Sequence, residues 1–394
     1  MRKLVSIALL INILLFQLIH AQQIIPKNAR IDLPPDEENL NVFQQWIKWN
    51  NPGSLLINHL IKQAFDLYEI RDIEISKLKT RNDWIARQKK VKLIPLNQSE
   101  IRFTPLPEGQ GISAGYPGDK GISEDPDVVF HENFEEFKGN NISKTEMGGW
   151  DHFYNDLVIT RNSVNVNMGK QALEVTHRHV PQAHGAVKEV AGYDTLFLRF
   201  YMKFHPEFPG VHHAGMYVRG GQPGALLDNP TGTRPTGKDH FTATVDHLFP
   251  THGASPPENK IPPGFIYNYC YHMDQKDIYG DILLPSGIAD GSDLLGHDFI
   301  PRPNKNPERN RWYCFEIMIQ CNDPGYRNGR VAIWVDGVLL ADHPNLRFRT
   351  VESVKARYVT LSTYTSRKEE NNILWYDDIV VAKKYIGPIS GKAN

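Results

Sequence analysis

The sequence predicts an all-β jelly roll, two antiparallel sheets stacked face to face, preceded by an N-terminal helical arm. Three observations carry that expectation. Strand-like segments alternating apolar and polar residues recur from residue 126 to the C-terminal region. No long helical pattern separates them, so the parallel β-α-β alternative is excluded. A Val-Asp-Gly hairpin signal at Val335-Asp336-Gly337 then ties two of the segments into an antiparallel pair.

The elements follow in order. Met1-Arg2-Lys3 and the run "LVSIALLINILLFQLI" lay out a secretory signal peptide over residues 1–21, with cleavage expected after Ala21. The run is about 16 residues, short of the roughly 20 that a spanning helix needs, so the chain is expected to be secreted or periplasmic, with no membrane partner. Residues 22–95 read as a leader and helical arm. Ile57, Leu60, Ile61, Ala64 and Phe65 recur at helical spacing after a Ser54 cap, and Ile73, Ile75, Leu78, Trp84 and Ile85 mark a second helix. Short helices need a partner surface, which makes the arm a contact either on the sandwich or between two copies. Residues 96–125 are rich in Gly and Pro, a linker or an extended wrap.

The jelly-roll domain is expected over 126–388, with a tail at 389–394. In "LFLRFYMKF", Leu196, Leu198, Phe200, Met202 and Phe204 share one face, while Phe197, Arg199, Tyr201 and Lys203 share the other. "YCFEIMIQ" places Tyr313, Phe315, Ile317 and Ile319 together. Leu196, Leu198, Phe200, Ile317, Ile333 and Val335 are the expected core.

Composition narrows the function classes. The 394 residues carry a formal net charge of -1, so no global field steers the chain to nucleic acid. Cys270, Cys314 and Cys321 make an odd number of thiols. Cys314 and Cys321 would stand about 23 Å apart on one strand, so they cannot pair with each other, whereas Cys270 could pair with either.

Chemistry-bearing residues gather between 199 and 272. "GFIYNYCYHMD" aligns Tyr267, Tyr269 and Tyr271 on one strand face, with Asn268, Cys270 and His272 on the other. Three readings of the row stay open: sheet packing, a sugar-stacking platform, or proton transfer. "VHHAGMYV" offers His212 or His213 to a cleft, and His213, Tyr217 and Arg219 share parity. His177 and His179, with His184 past a proline, suit metal ligands by spacing, although a solvent-facing pair is the plainer reading. No cofactor is called for. Asp377 and Asp378 could hold a structural calcium, and a hydrogen-bonding role is the stronger reading.

The segments "RWYCFEIMIQCND", "GRVAIWVDGVLL" and "NILWYDDIVVAKKYIGP" resemble the closing strands of concanavalin A-like jelly rolls. "LRFYMKFHPEFPGVHHAGMYVRGG", "DHFTATVDHLF" and "GFIYNYCYHMD" are similar in order to alginate and glucuronan lyases of polysaccharide lyase families fourteen and twenty. That resemblance implies a polysaccharide lyase cleaving a uronate-bearing glycan by β-elimination. It puts Tyr267, Tyr269 and Tyr271 on its tyrosine strand. An elimination also needs a second base and cations around the carboxylate. The candidates are therefore Tyr269, Tyr267, Tyr271, His213 and His247 for catalysis, and Arg199, Tyr201, Lys203, His212, Tyr217, Arg219 and Lys238 for substrate binding. Two departures stand out: Glu207 and Phe208 precede Pro209 where the alginate enzymes have lysine, and His247 falls where they have a basic strand residue. The competing class is a non-catalytic carbohydrate-binding protein on the same sandwich. A glycoside hydrolase ranks last, because the strands carry no Glu-x-Asp-x-x-Glu run.

Overall fold

The computed structural model describes residues 104–155, 157–176, 182–225, 231–291, 300–365 and 371–391, together with Ile73, Lys77 and Thr80. The expected signal peptide, most of the helical arm, His177 and His179 lie outside these residues.

Two eight-stranded sheets form the domain, and every strand pair in them is antiparallel. The first runs β14 (Val338–Leu346), β13 (Gly329–Val335), β12 (Trp312–Gln320), β6 (Thr195–Phe204), β16 (Ile373–Ala382), β4 (Ala172–Thr176) and β3 (Val158–Thr160). Strand β1 (Val128–Glu132) joins it beside the C-terminal half of β16. The second runs β11 (Gly287–Asp290), β10 (Asp281–Leu284), β9 (Phe265–Tyr271), β8 (Phe241–Leu248), β7 (His213–Gly221), β15 (Lys355–Thr365), β5 (Gln182–Tyr193) and β2 (His152–Tyr154). The chain passes from one sheet to the other between β5, β6 and β7, and again between β14, β15 and β16.

Alternation along each strand builds the interior. Leu196, Leu198, Phe200, Met202 and Phe204 from β6, and Phe315, Ile317 and Ile319 from β12, are buried in one cluster with Met216 and Val218 of β7 and Ala243 and Val245 of β8. Ile333 and Val335 belong to it as well, so all six expected core residues lie there. Burying a Leu, Ile or Phe side chain contributes about 1.5–3 kcal/mol, and this inter-sheet layer is what holds the sheets together. Asp336 and Gly337 join β13 to β14 with φ of +52° and +80°, the left-handed pair that a two-residue hairpin of this hand requires.

The outer faces of the two sheets differ. On the first, residues 106–122 and 385–389 lie across the strands: Phe197, Trp334, Tyr385, Ile386 and Ile122 form a second buried cluster. We call this the covered sheet. The second sheet, the open sheet, presents a half-buried polar and aromatic face to solvent. Cys270, Cys314 and Cys321 are all buried and free.

Candidate functional site

The tyrosines of β9 stand on the outer face of the open sheet. Their strand neighbours Ile266 and Cys270 point into the core. Tyr267 and Tyr271 are buried at 3% and 5% exposure, whereas Tyr269 between them is only half-buried. The Tyr269 hydroxyl lies 3.4 Å from that of Tyr271 and accepts a hydrogen bond from the Gly280 N–H at 3.2 Å.

His213, at the start of β7, stacks on Tyr269 with ring centroids 5.2 Å apart and planes at 29°. Its Nδ1 lies 2.7 Å from Asp246 Oδ2 on β8. A carboxylate only accepts, so Nδ1 carries a proton, and Nε2 is the nitrogen that can accept one. The other Asp246 oxygen takes the Ala214 and His247 backbone N–H groups at 2.8 and 2.7 Å, which fixes the carboxylate. A small pocket opens here, lined by His212, His213, Phe249, His252, Tyr267 and Tyr269 among others. His212 is exposed and its ring lies 4.5 Å from that of His213.

The electrostatics follow from burial. Burial alone would raise the Asp246 carboxyl, but the His213 hydrogen bond and nearby imidazole charge hold it below the ordinary range. Burial pushes the Tyr269 phenol well up, reinforced by Tyr271 and by the Asp246 charge, and only the Gly280 bond opposes this. Tyr267 is raised for the same reasons, burial first and Asp246 second. The Tyr267 and Tyr269 phenols are therefore held protonated.

Further along the same face, β7 carries Tyr217 and Arg219. Arg219 stacks 4.7 Å over the Tyr358 ring and donates to the Ala225 carbonyl at 2.9 Å. Its charge opposes the upward shift that burial imposes on Tyr217. The expected row His213–Tyr217–Arg219 is thus present on one face. Arg219 lies six residues from His213, about 20 Å along a strand.

Other expected site residues fall elsewhere. His247 is fully buried between the sheets, its Nδ1 2.8 Å from the Pro263 carbonyl and its ring against Phe204 and Phe208. It shares parity with Phe241, Ala243 and Val245, so "FTATVDHLF" already assigned it to the core; the same alternation puts Asp246 on the open face. Asp246 was not among the residues expected from the sequence, which were phenols, imidazoles and cations. Arg199, Tyr201 and Lys203 lie on the covered sheet. Arg199 pairs with Asp119, Lys203 Nζ donates to the Val164 carbonyl at 2.5 Å, and the Tyr201 hydroxyl accepts from the Ile389 N–H at 2.9 Å. Lys238 is exposed in the loop between β7 and β8.

His184 is buried at 2% exposure on the core side of β5. Asp377 accepts the Asn167 and Met168 N–H groups at 2.8 and 3.4 Å, and Asp378 accepts the Asn167 side-chain amide at 2.6 Å. Among the described residues no group of three or more His, Cys, Asp or Glu is placed to hold a metal ion. No helix among them is long and apolar enough to cross a membrane.

No family model and no curated protein sequence matches the chain. Solved structures do. A variant of alginate lyase Aly36B in complex with alginate trisaccharide is 16% identical, covering 66% of this chain and 99% of its own, with a TM-score of 0.47. The PL-14 alginate lyase from Aplysia kurodai is 14% identical, covering 64% and 98%, with a TM-score of 0.47. The endo-β-1,4-glucuronan lyase from the fungus Trichoderma reesei is 15% identical, covering 65% and 96%, with a TM-score of 0.39.

Proposed function

We propose that the chain is an exported polysaccharide lyase that cleaves a uronate-bearing glycan by β-elimination, with His213 as base and Tyr269 as proton donor. The observation that carries this reading is the His213–Asp246 pair stacked on Tyr269 at the mouth of a pocket.

Elimination removes the proton beside the sugar carboxylate and expels the glycosidic oxygen. Neutral His213 takes that proton at Nε2, and Asp246 stabilises the imidazolium that results. Tyr269, held protonated by burial, enters as the acid and passes its proton to the leaving oxygen. The phenolate left behind keeps the Gly280 N–H and gains the Tyr271 hydroxyl as donor. His212, exposed beside His213, would hydrogen-bond the sugar carboxylate. The assignment departs from a tyrosine whose pKa is pulled down by cations, because here the phenol is pushed up.

The test is incubation with a panel of uronate polysaccharides, following absorbance near ~235 nm from the unsaturated product that an elimination leaves. Tyr269→Phe should lower turnover by about 10²-fold or more while glycan binding persists. Binding without any turnover in the unaltered protein would instead support a carbohydrate-binding module.

A further inference from the structure

The loop from His272 to Asp281, joining β9 to β10, carries an exposed aromatic on an immobilised backbone. Its ends are closed by a buried pair, His272 Nε2 donating to Asp281 Oδ2 at 2.9 Å with both side chains at 1% exposure or less. Gln275, itself buried, donates from Nε2 to the Asp277 and Tyr279 carbonyls at 2.9 and 3.0 Å, and its Oε1 accepts the His272 N–H at 3.1 Å. The Tyr279 N–H donates to Asp277 Oδ1 at 2.7 Å. Both backbone groups of Tyr279 are therefore pinned, yet its side chain belongs to a residue that is 54% exposed. The next residue, Gly280, donates to the Tyr269 hydroxyl.

A second loop, between β7 and β8, passes against this ring. Gly232 has φ of +73°, and a methyl group built there would stand 3.7 Å from the Tyr279 ring. Two residues further on, about 7 Å in extended chain, Arg234 is exposed and donates from Nε to the Met273 carbonyl at 3.1 Å. Among the described residues no carboxylate pairs with it.

We propose that Tyr279 and Arg234 form a binding subsite for a second uronate unit of the glycan, next to the sugar that reacts at His213 and Tyr269. A sugar ring presents apolar C–H groups to an aromatic face, and a rigid two-torsion side chain can be held for it at low entropic cost. The guanidinium supplies the charge-assisted partner for that sugar's carboxylate. The substrate class is thus a polyuronate of at least two units with free carboxylates. The inference rests on the elimination reading for the identity of the reacting sugar, but stacking and charge pairing are measurable without it.

The experiment compares Tyr279→Ala, Tyr279→Phe and Arg234→Gln on polyuronate oligomers of increasing length. Tyr279→Ala should raise KM about tenfold for longer oligomers with kcat kept, and Tyr279→Phe should restore the original KM. Arg234→Gln should raise KM and flatten its salt dependence. Calorimetry of the same oligomers on a Tyr269→Phe background reads binding without turnover. If the unaltered protein eliminates nothing but Tyr279→Ala still weakens oligomer binding, the elimination reading falls and the subsite stands. If turnover is present and KM in Tyr279→Ala stays within about twofold, or if no polyuronate binds at all, the subsite is overturned.

Discussion

The outer faces of the two sheets are written in the same alphabet and used differently. On β6 of the covered sheet, Arg199, Tyr201 and Lys203 are 0%, 6% and 3% exposed, each bonded to a segment lying over it. On β7 and β9 of the open sheet, His213 and Tyr269 are half-buried and line a pocket. A cation or phenol on a strand is open to a ligand only where no segment lies across it.

The sharpest way to break that comparison is His213→Ala. Removing the base should cut turnover by about 10³-fold, within the range a positioned proton acceptor contributes. It should also lower the thermal midpoint by a few degrees, because buried Asp246 loses the imidazole but keeps the Ala214 and His247 N–H groups. Turnover within a few-fold of the parent would show that the His213–Asp246 pair is not the reacting group.

Arg199→Met tests the opposite face. It leaves Asp119 buried at 5% side-chain exposure without its guanidinium, a change that costs about 3–5 kcal/mol in buried pairs. The thermal midpoint should fall by about 10 °C with kcat unchanged at temperatures where the protein stays folded. A lost kcat with unchanged stability would move Arg199 back into the substrate site.

The mildest effect is a pH slope on the covered sheet. Glu316, fully buried, has its pKa pushed up to about 7 by burial, against the Ile386 and Gly387 N–H groups that it accepts at 2.8 Å each. A folded pKa above the unfolded one means the folded state binds more protons between about pH 4.5 and 7. Stability therefore falls as pH rises through that window. Glu316→Gln should flatten the slope, read as thermal midpoint against pH, and an unchanged slope would assign it to other groups.

The two faces also explain how much the sequence disclosed. Period-two alternation sufficed for the core, because an apolar residue facing inward is buried whichever sheet it belongs to. It sufficed for the Tyr267–Tyr271 row and for the His213–Tyr217–Arg219 row, since each lies within one strand. It could not say that β6 and β7, consecutive in the chain, belong to different sheets. Arg199 and Lys203 were therefore expected beside residues that the sandwich core separates from them. Asp246 was legible by parity with Thr242 and Thr244. Tyr279 carried no local signal, because its setting depends on a loop closed by a buried His-Asp pair.

The strap across the covered sheet has one more consequence. Gly118 donates to the Ser390 carbonyl at 2.8 Å, and Ser113 Oγ donates to the Pro388 carbonyl at 2.7 Å. Ser390 Oγ in turn donates to the Ser113 carbonyl at 2.6 Å. These contacts join residues about 275 positions apart, among the longest loops the domain has to close. During synthesis the clasp cannot close, and Tyr385 and Ile386 cannot join Phe197 and Trp334, until the last of these segments has been made. Shortening the domain from either side of the clasp would take away part of the cover over that same face.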